Sequence, residues 1–235
     1  MARHSTTDSY SYSIRVSKRA KRARLQIKPY QGLEVVIPRN FPEKRIIRFL
    51  LQHEDWIKQK LSTNCYQQKP EYPQSITLSL LQSQWPIHYQ QCDKPGVKES
   101  DSQLILNYKQ QNQIGSLLRQ WLRQKAKQQL PQMLSDRARE LGMTYQKISI
   151  RSQKTRWGSC SSKATISLND QLLFLPIELV DYILIHELCH IKHLNHSANF
   201  WLMVERFCPG YRFFENQLKQ ARNFIPEWFL YELLI

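Results

Sequence analysis

The spacing of hydrophobic and polar residues divides the chain into a β-rich first part and a mainly helical second part. In the first part, short alternating apolar runs predict strands, and one run with helical spacing predicts an amphipathic helix. The pattern gives strands at residues 12–16, 23–27 and 33–37, one helix ending near residue 61, and two or three strands between residues 75 and 108. These residues predict a small β-rich unit with one helix.

From residue 114 onwards the apolar residues follow the helical period. Positions 114, 117, 118, 121 and 122 are apolar and predict a long helix. Pro131 is expected to kink or break this helix, and Gly142 to end it. The pattern then predicts strands at residues 147–151 and 164–168, separated by a loop, a helix from 176 to about 193, and two short C-terminal helices. We therefore expect an α+β protein with two domains, residues 1–110 and 111–235.

Composition narrows the class of protein. With 235 residues, 41% of them hydrophobic, the chain can bury a core and is neither disordered nor fibrous. No uncharged apolar run reaches the length of about 18 residues that a membrane span needs. The N-terminus lacks the apolar segment of a secretory signal, and the five cysteines form no C-x-x-C pair. The sequence thus predicts a cytoplasmic protein without a disulfide framework.

The positive charge is concentrated in two zones. The formal net charge is +15, and residues 1–48 and 111–163 each carry a net charge of +9. In the first zone, five basic residues lie on a predicted hairpin: Lys18, Arg19, Lys21, Arg22 and Arg24. In the second, Arg119, Arg123 and Lys127 recur every four residues and predict an exposed basic stripe. Such zones favour an anionic partner such as nucleic acid, although a solvated surface has the same composition.

Four of the seven histidines lie between residues 186 and 196, within the predicted helix or just after it. Four residues on a helix turn through about 400°, so His186 and His190 project from one face, a turn apart, as two zinc ligands do. Glu187 is too close in sequence to join them as a ligand. It can instead activate a zinc-bound water by taking its proton. The H-E-x-x-H pattern therefore predicts a zinc site with Glu187 as the catalytic base.

The third ligand has to be chosen among downstream residues. Since three ligands in one straight row cannot form a tetrahedral corner, His193 is expected to support another ligand or to face solvent. His196 fits if the helix ends first and the chain turns back near Asn195, which tolerates left-handed geometry. A downstream carboxylate such as Glu205 is the competing candidate. The spacing favours His186, His190 and His196 as the metal ligands.

Two segments before the helix offer places for substrate. Residues 164–168 alternate and could pair with an extended peptide by strand addition. An ordinary internal strand has the same pattern. The preceding loop, residues 151–163, combines basic, hydroxyl and aromatic groups around a glycine and could bind phosphate or a carboxylate.

Four motifs stand out in the second half of the chain, namely R-x4-R-W-G-S-C at 151–160, I-S-L-N at 166–169, D-Y-x3-H-E-L-x-H-x2-H-x2-H at 181–196 and F-W at 200–201. Together they resemble the YgjP-like metallopeptidase family, which is related to the WLM and SprT-like zinc metallopeptidases. The resemblance covers most of the chain and is sharpest over residues 151–211. It implies a zincin-like catalytic domain with a small sheet, with Zn²⁺ at the three histidines and Glu187 as base. It also points to possible substrate-binding residues, namely Arg156, Trp157, Asn169 and Tyr211.

Three functions remain in competition. The first is a zinc-dependent peptidase of proteins or peptides, recruited to nucleic-acid-associated proteins by its basic surfaces. The second is a metal-dependent nucleoside triphosphate (UTP) pyrophosphatase, an activity attributed to some family members, with Arg151, Lys154 and Arg156 holding phosphate. The third is a nucleic-acid-binding module with a rarely used metal site. Tyr211 is expected either to bond a developing oxyanion or to pack in the core.

Overall fold

A computed structural model gives the fold and describes residues 3–6, 10–28, 32–42, 44–63, 70–100 and 102–234. It confirms an α+β protein with an N-terminal sheet and a helical core that carries a smaller sheet. The chain forms two compact units, Met1–Pro70 and Glu71–Ile235. Among the helices in the described residues, none has the length and apolar character needed to cross a bilayer.

The first unit is built on a four-stranded sheet. Its strands are β1 (Arg3–Thr6), β2 (Ser11–Ser17), β3 (Arg24–Lys28) and β4 (Gly32–Pro38), in the order β1-β2-β4-β3. β2 runs parallel to β4, which lies between β2 and β3. The prediction of a first hairpin is therefore wrong, because residues 18–23 connect two strands that do not pair. The continuous buried run of β4 explains its central position.

Two short helices cover this sheet where the sequence predicts one. They are α1 (Lys44–Leu51) and α2 (Glu54–Thr63). At the break, the His53 N–H donates to the carbonyl of Leu50, three residues earlier, and the His53 ring contacts the Phe49 carbonyl through Nδ1 at 2.9 Å. The carbonyls of Phe49 and Leu50 accept these bonds and not the bonds that would continue the helix, so α1 ends here. Buried Ile46 and Ile57 pack in the core of this unit.

The second unit begins with another four-stranded sheet. Its strands are β5 (Ser75–Leu78), β6 (Ser83–Gln91), β7 (Gly96–Ser100) and β8 (Gln103–Tyr108), in the order β5-β6-β8-β7. Side chains of this sheet, such as Leu104, share one core with Leu118 of α3 (Ile114–Glu140). The compact units therefore do not coincide with the predicted domains, because residues 71–110 pack with the helices that follow them.

The sequence predicts a kink or a break at Pro131, and the structure shows no break, because the long helix α3 continues through this residue. A proline inside a helix costs about 3 kcal/mol or more, since one hydrogen bond is lost. Leu130 and Leu134, on either side of Pro131, are fully buried, and this packing offsets the cost. The helix ends where the sequence predicts, because Gly142 takes a φ of +63° and its N–H donates to the Arg139 carbonyl.

The basic stripe expected on α3 is only partly exposed. Arg119 is half-buried, and its Nη1 donates to the Glu232 carbonyl at 2.6 Å. The guanidinium of Arg123 donates to the Ile150 carbonyl at 3.2 Å. Lys127 is exposed. Arg123 is exposed as well, so the prediction of an exposed stripe is confirmed at Arg123 and Lys127 and is wrong only at Arg119.

A three-stranded sheet and four helices complete the second unit. The sheet contains β9 (Lys147–Arg151), β10 (Gly158–Cys160) and β11 (Thr165–Asn169), in the order β10-β11-β9. The helices are α4 (Ile177–Cys189), α5 (Ala198–Phe207), α6 (Tyr211–Leu218) and α7 (Glu227–Glu232). β10 lies within the predicted loop, and three helices follow α4 rather than two.

Candidate active site

The buried helix α4 carries the H-E-x-x-H residues, which most clearly predict a metal site. Its core-facing side chains are fully or almost fully buried, among them Leu179, Val180, Leu184 and Leu188. His186 and Glu187 lie in the last turn of this helix, and His190 caps its end. The sequence places the helix correctly, but its end comes at Cys189 rather than at about residue 193.

The chain turns directly after α4 and brings His196 back to the helix. The N–H groups of Ile191 and Lys192 donate to carbonyls three residues earlier, which tightens the chain into a turn. Asn195 does not adopt the expected left-handed conformation. The non-glycine residues with positive φ in the described parts of the chain are Gln82, Ser102 and Ala164. Tight hydrogen bonding after α4, not a left-handed Asn195, begins the reversal.

The Nε2 atoms of His186, His190 and His196 converge. The Nε2 of His186 lies 3.2 Å from the Nε2 of His190 and 3.2 Å from that of His196. Ligands at zinc–nitrogen distances of about 2.0–2.1 Å in a tetrahedral arrangement have their nitrogens about 3.3 Å apart. All three donor atoms lie within 4.8 Å of one another. The donor set therefore fits a zinc ion.

Neighbouring groups fix the orientation of these rings. The Nδ1 of His190 donates to the backbone carbonyl of His193 at 2.9 Å, so its Nε2 carries the free lone pair. Phe200 stacks on the His190 ring at a centroid distance of 4.4 Å, and Trp201 stacks on the His196 ring at 5.4 Å. These contacts hold two of the three imidazoles in place.

The local electrostatics keep His186 and His190 neutral, as metal ligation requires. Burial, together with the smaller effects of the nearby His190 and His196, lowers the pKa of His186 to about 3. Burial also lowers the pKa of His190, against the opposing effect of its hydrogen bond to the His193 carbonyl. A neutral imidazole offers its lone pair to a metal without first losing a proton.

Among the candidate third ligands, the structure brings only His196 to the other two. His193 contributes its backbone carbonyl to His190, while its own ring lies outside the cluster of donor atoms. The Glu205 carboxylate instead accepts a hydrogen bond from the Gly210 N–H at 3.2 Å. Glu205 therefore supports the turn between α5 and α6.

Glu187 is a buried carboxylate beside the imidazole cluster. It is 5% exposed, and its Oε2 has no hydrogen-bond partner within the described residues. Burial raises the pKa of Glu187 to about 8, against the opposing charge of Arg156. A carboxylate with a free oxygen and a raised affinity for protons is suited to accepting one.

The side chain of Glu187 packs against the backbone of Gly158 in β10. A Cβ atom at position 158 would lie 2.6 Å from Oε1 and 2.7 Å from Cγ of Glu187. These distances are shorter than real Cβ contacts, so any larger residue at 158 would push Glu187 aside. Gly158 therefore permits the close approach of β10 to α4.

A cavity of about 400 Å³ opens in front of these groups. His186, Glu187 and His196 line it together with aromatic, charged and apolar side chains. The other lining residues are Arg156, Trp157, Gly158, Tyr182, Ile183, Trp201, Glu215 and Leu218. The imidazoles of His186 and His196 and the carboxylate of Glu187 thus face one cavity, which is large enough for a peptide side chain and its backbone.

β10 is the edge strand beside this cavity. Within the described residues it pairs only with β11, whereas β11 lies between β10 and β9. The expectation that residues 164–168 pair with a peptide is therefore wrong, since both edges of β11 are occupied. The Asn169 N–H donates to the Trp157 carbonyl, and the alternation along the strand then turns the N–H and C=O of Gly158 and Cys160 outward.

The possible substrate-binding residues have different locations. Arg156 and Trp157 line the cavity. Asn169 lies outside it, and its Nδ2 donates to the carbonyls of Gln153 at 2.8 Å and Arg156 at 2.7 Å. Tyr211 is buried, with its ring stacked on Trp201 at 4.9 Å. The packing expected as one alternative for Tyr211 is what the geometry shows.

Sequence reasoning missed Gly158 as the contact for Glu187, and it missed Tyr182, Trp201 and Glu215 as residues of the cavity. Trp201 lies in α5, five residues after His196. An aromatic residue so close to the histidine motif could have indicated a contact with the site. Tyr182 precedes His186 by four residues and contacts its ring edge-on. For Glu215 no local signal existed, because α6 approaches the cavity only through the tertiary fold.

Comparison with known proteins completes the description of the site. None of the curated proteins matches the chain significantly. Two of the solved structures to which the chain is similar are metallopeptidase zymogens. Abylysin of Pyrococcus abyssi is 33% identical, and the match covers 38% of this chain and 91% of that chain with a TM-score of 0.35. Jannalysin of Methanocaldococcus jannaschii is 27% identical, and the match covers 40% of this chain and 96% of that chain with a TM-score of 0.35. The family model for the YgjP-like metallopeptidase domain matches residues 21–221. Because this match spans most of the chain, the protein belongs to the YgjP-like metallopeptidase family.

Proposed function

We propose that the protein is a zinc-dependent peptidase that hydrolyses peptide bonds, with zinc held by His186, His190 and His196 and with Glu187 as general base. The observation that carries this proposal is the convergence of three histidine Nε2 atoms beside a buried carboxylate, at a cavity lined by His186, His196 and Glu187. Membership of a metallopeptidase family supports peptide bonds as the target.

The free edge of β10 supports an extended peptide as the substrate. The outward N–H and C=O groups of Gly158 and Cys160 can form ladder hydrogen bonds with a peptide backbone. Because Gly158 touches Glu187, a strand bound to this edge would pass directly by the carboxylate. Strand addition thus fixes the scissile bond near the catalytic groups without requiring a particular side chain.

The role of each group in the proposed reaction follows from the arrangement of the residues. Zinc, when bound, supplies a Lewis acid that polarises a carbonyl oxygen and makes water acidic near neutral pH. Glu187 takes a proton from the attacking water at its free oxygen and then gives that proton to the leaving amine nitrogen. The neighbouring Arg156 favours the ionised carboxylate before the reaction. β10 holds the substrate backbone during both transfers.

Exposed cations of the first unit support a role for an anionic partner. The connection between β2 and β3 and the first residue of β3 together carry five exposed basic residues, here called the basic connection: Lys18, Arg19, Lys21, Arg22 and Arg24. Within the described residues none of them forms an ion pair. We propose that the basic connection recruits the peptidase to substrates associated with nucleic acid.

Glu187→Gln in the zinc-loaded protein is expected to lower cleavage of an unstructured protein by at least about a hundredfold, because the amide cannot accept the proton. Zinc content should stay equal to that of wild type. Glu178→Gln, an exposed residue at the start of the same helix, is the control and should leave activity intact. Full cleavage by Glu187→Gln, or hydrolysis of UTP with no peptide cleavage by wild type, would contradict the proposal.

His196→Ala and His193→Ala should separate the ligand from its neighbour. We expect His196→Ala to lose zinc, measured by metal analysis after dialysis, because one of three donors is removed. His193→Ala should keep zinc, since only its backbone carbonyl supports His190. The opposite pattern of zinc loss would overturn the choice of ligands.

Gly158→Ala should impair catalysis without loss of zinc. The added methyl group would displace the Glu187 side chain, so we expect kcat to fall about tenfold or more. Gly96→Ala is the matched control, because a Cβ there meets no atom within 4 Å. Equal activity of both variants and wild type would show that the contact between Gly158 and Glu187 does not position the base.

Neutralising Arg19, Arg22 and Arg24 to Gln should weaken binding to single-stranded DNA and flatten its salt dependence, by about 0.7 in the logarithmic slope for each lost contact. The matched control neutralises exposed Lys44, Arg45 and Arg48 of α1 and changes the net charge equally. Fluorescence anisotropy at several salt concentrations gives the slopes. Equal effects of the two triple variants would argue for a diffuse charge effect instead of a local binding surface.

A further inference from the structure

A second, smaller cavity adjoins the one that contains the imidazoles. It measures about 200 Å³ and shares Arg156, Trp157 and Leu218 with the larger cavity. Four cations line it, from the loop before β10 and from the segment after α6. We call it the basic pocket and define it by Lys154, Arg156, Lys219 and Arg222.

The cations of the basic pocket form no ion pair among the described residues, and Arg156 alone acts electrostatically on a nearby carboxylate, that of Glu187. No aspartate or glutamate lines the cavity, and none of the four forms an ion pair there. Lys219 donates to the Asn216 side chain at 2.7 Å, and Arg222 donates to the Lys154 carbonyl at 2.6 Å. Each retains further N–H donors, so the pocket holds uncompensated positive charge with free hydrogen-bond donors.

The wall of the pocket is held in place by buried amides. The Asn169 Nδ2 donates to the carbonyls of Gln153 and Arg156, and the Gln171 Nε2 donates to the same Gln153 carbonyl at 2.7 Å. Asn169 and Gln171 are almost completely buried. The loop that carries Lys154 and Arg156 is therefore fixed before any ligand arrives, which lowers the entropic cost of binding.

The position of the pocket along β10 indicates which part of a peptide would reach it. The loop residues 153–157 directly precede β10. Antiparallel pairs outnumber parallel ones about two- to threefold in sheets, so we take the peptide to run antiparallel to β10. Its C-terminal side then extends past Gly158 towards residues 157–153. Substrate residues after the scissile bond would meet the basic pocket.

We propose that the basic pocket binds a carboxylate on the C-terminal side of the scissile bond, which makes the protein selective for acidic peptide substrates. This inference rests on the proposed peptidase function and adds a substrate class to it. Two sources offer the same chemistry, namely the free C-terminus of a short peptide and the side chain of aspartate or glutamate. Cation–carboxylate hydrogen bonds of the kind that Lys219 and Arg222 can make are charge-assisted and directional.

The test uses full-length zinc-loaded protein and a peptide mixture whose cleavage sites are mapped by mass spectrometry. We expect acidic residues or peptide C-termini to be enriched after the scissile bond, by about fivefold or more over neutral residues. Single peptides that differ only in an internal Glu or Gln, or in a free or amidated C-terminus, distinguish the two sources. Raised salt should reduce the preference, because the cations are exposed.

Variants of the pocket make the assignment specific. Lys219→Gln should reduce the preference, and Lys219→Glu should favour basic residues at the same substrate position. Lys163→Gln, an exposed lysine in the turn between β10 and β11, is the control and should leave the preference unchanged. Zinc content and thermal unfolding verify the fold of each variant. An unchanged preference in Lys219→Glu, or an acidic preference only before the scissile bond, would overturn the proposal.

A binding measurement separates this proposal from the peptidase function. Calorimetric titration of the Glu187→Gln protein compares peptide acids with peptide amides and needs no turnover. Tighter binding of the acids, lost in the additional Lys219→Glu variant, supports the pocket even if wild type cleaves nothing. Cleavage without any carboxylate preference would support the peptidase function and contradict the proposed role of the basic pocket. Binding of UTP that depends on Lys219, with equal affinity for peptide acids and amides, contradicts the carboxylate assignment.

Discussion

The candidate active site depends on a helix that carries polar side chains through an apolar core. Helix α4 is buried along most of its length, yet it ends in His186, Glu187 and His190. Burying such groups costs free energy unless each finds a partner. Here the imidazoles converge on one another, and Oε2 of Glu187 has no hydrogen-bond partner in the part of the chain that the structure describes. The core therefore accepts a cluster that metal binding and proton transfer would satisfy.

The small sheet completes this arrangement because one of its strands, β10, packs closely against Glu187 of α4 at Gly158. Gly158 lets β10 approach Glu187, and the same strand turns backbone groups towards the open edge. Asn169, on the neighbouring strand, ties down the loop that carries Arg156. In the proposed mechanism, binding of the substrate backbone, orientation of Glu187 and placement of the basic pocket all depend on the position of one three-residue strand.

Local patterns predicted the elements whose signal is contained in neighbouring residues. The strand at 147–151, the helical period of α4 and the 186–190–196 spacing agree with the structure. Features that depend on residues distant in sequence could not be predicted from local patterns. β10 is a strand because β11 pairs with it, since Gly-Ser-Cys has no alternation of its own. The long helix passes Pro131 because tertiary burial outweighs a local preference. The residues before position 110 join the second unit through core packing that no local pattern reports.

The most direct test of the central claim is a crystal structure of the zinc-loaded Glu187→Gln protein with a bound peptide. The account predicts one zinc ion held by the Nε2 atoms of His186, His190 and His196, and a peptide paired with the free edge of β10 so that a peptide bond faces residue 187. A zinc ion held by other side chains, or a peptide bound away from β10, would contradict the account.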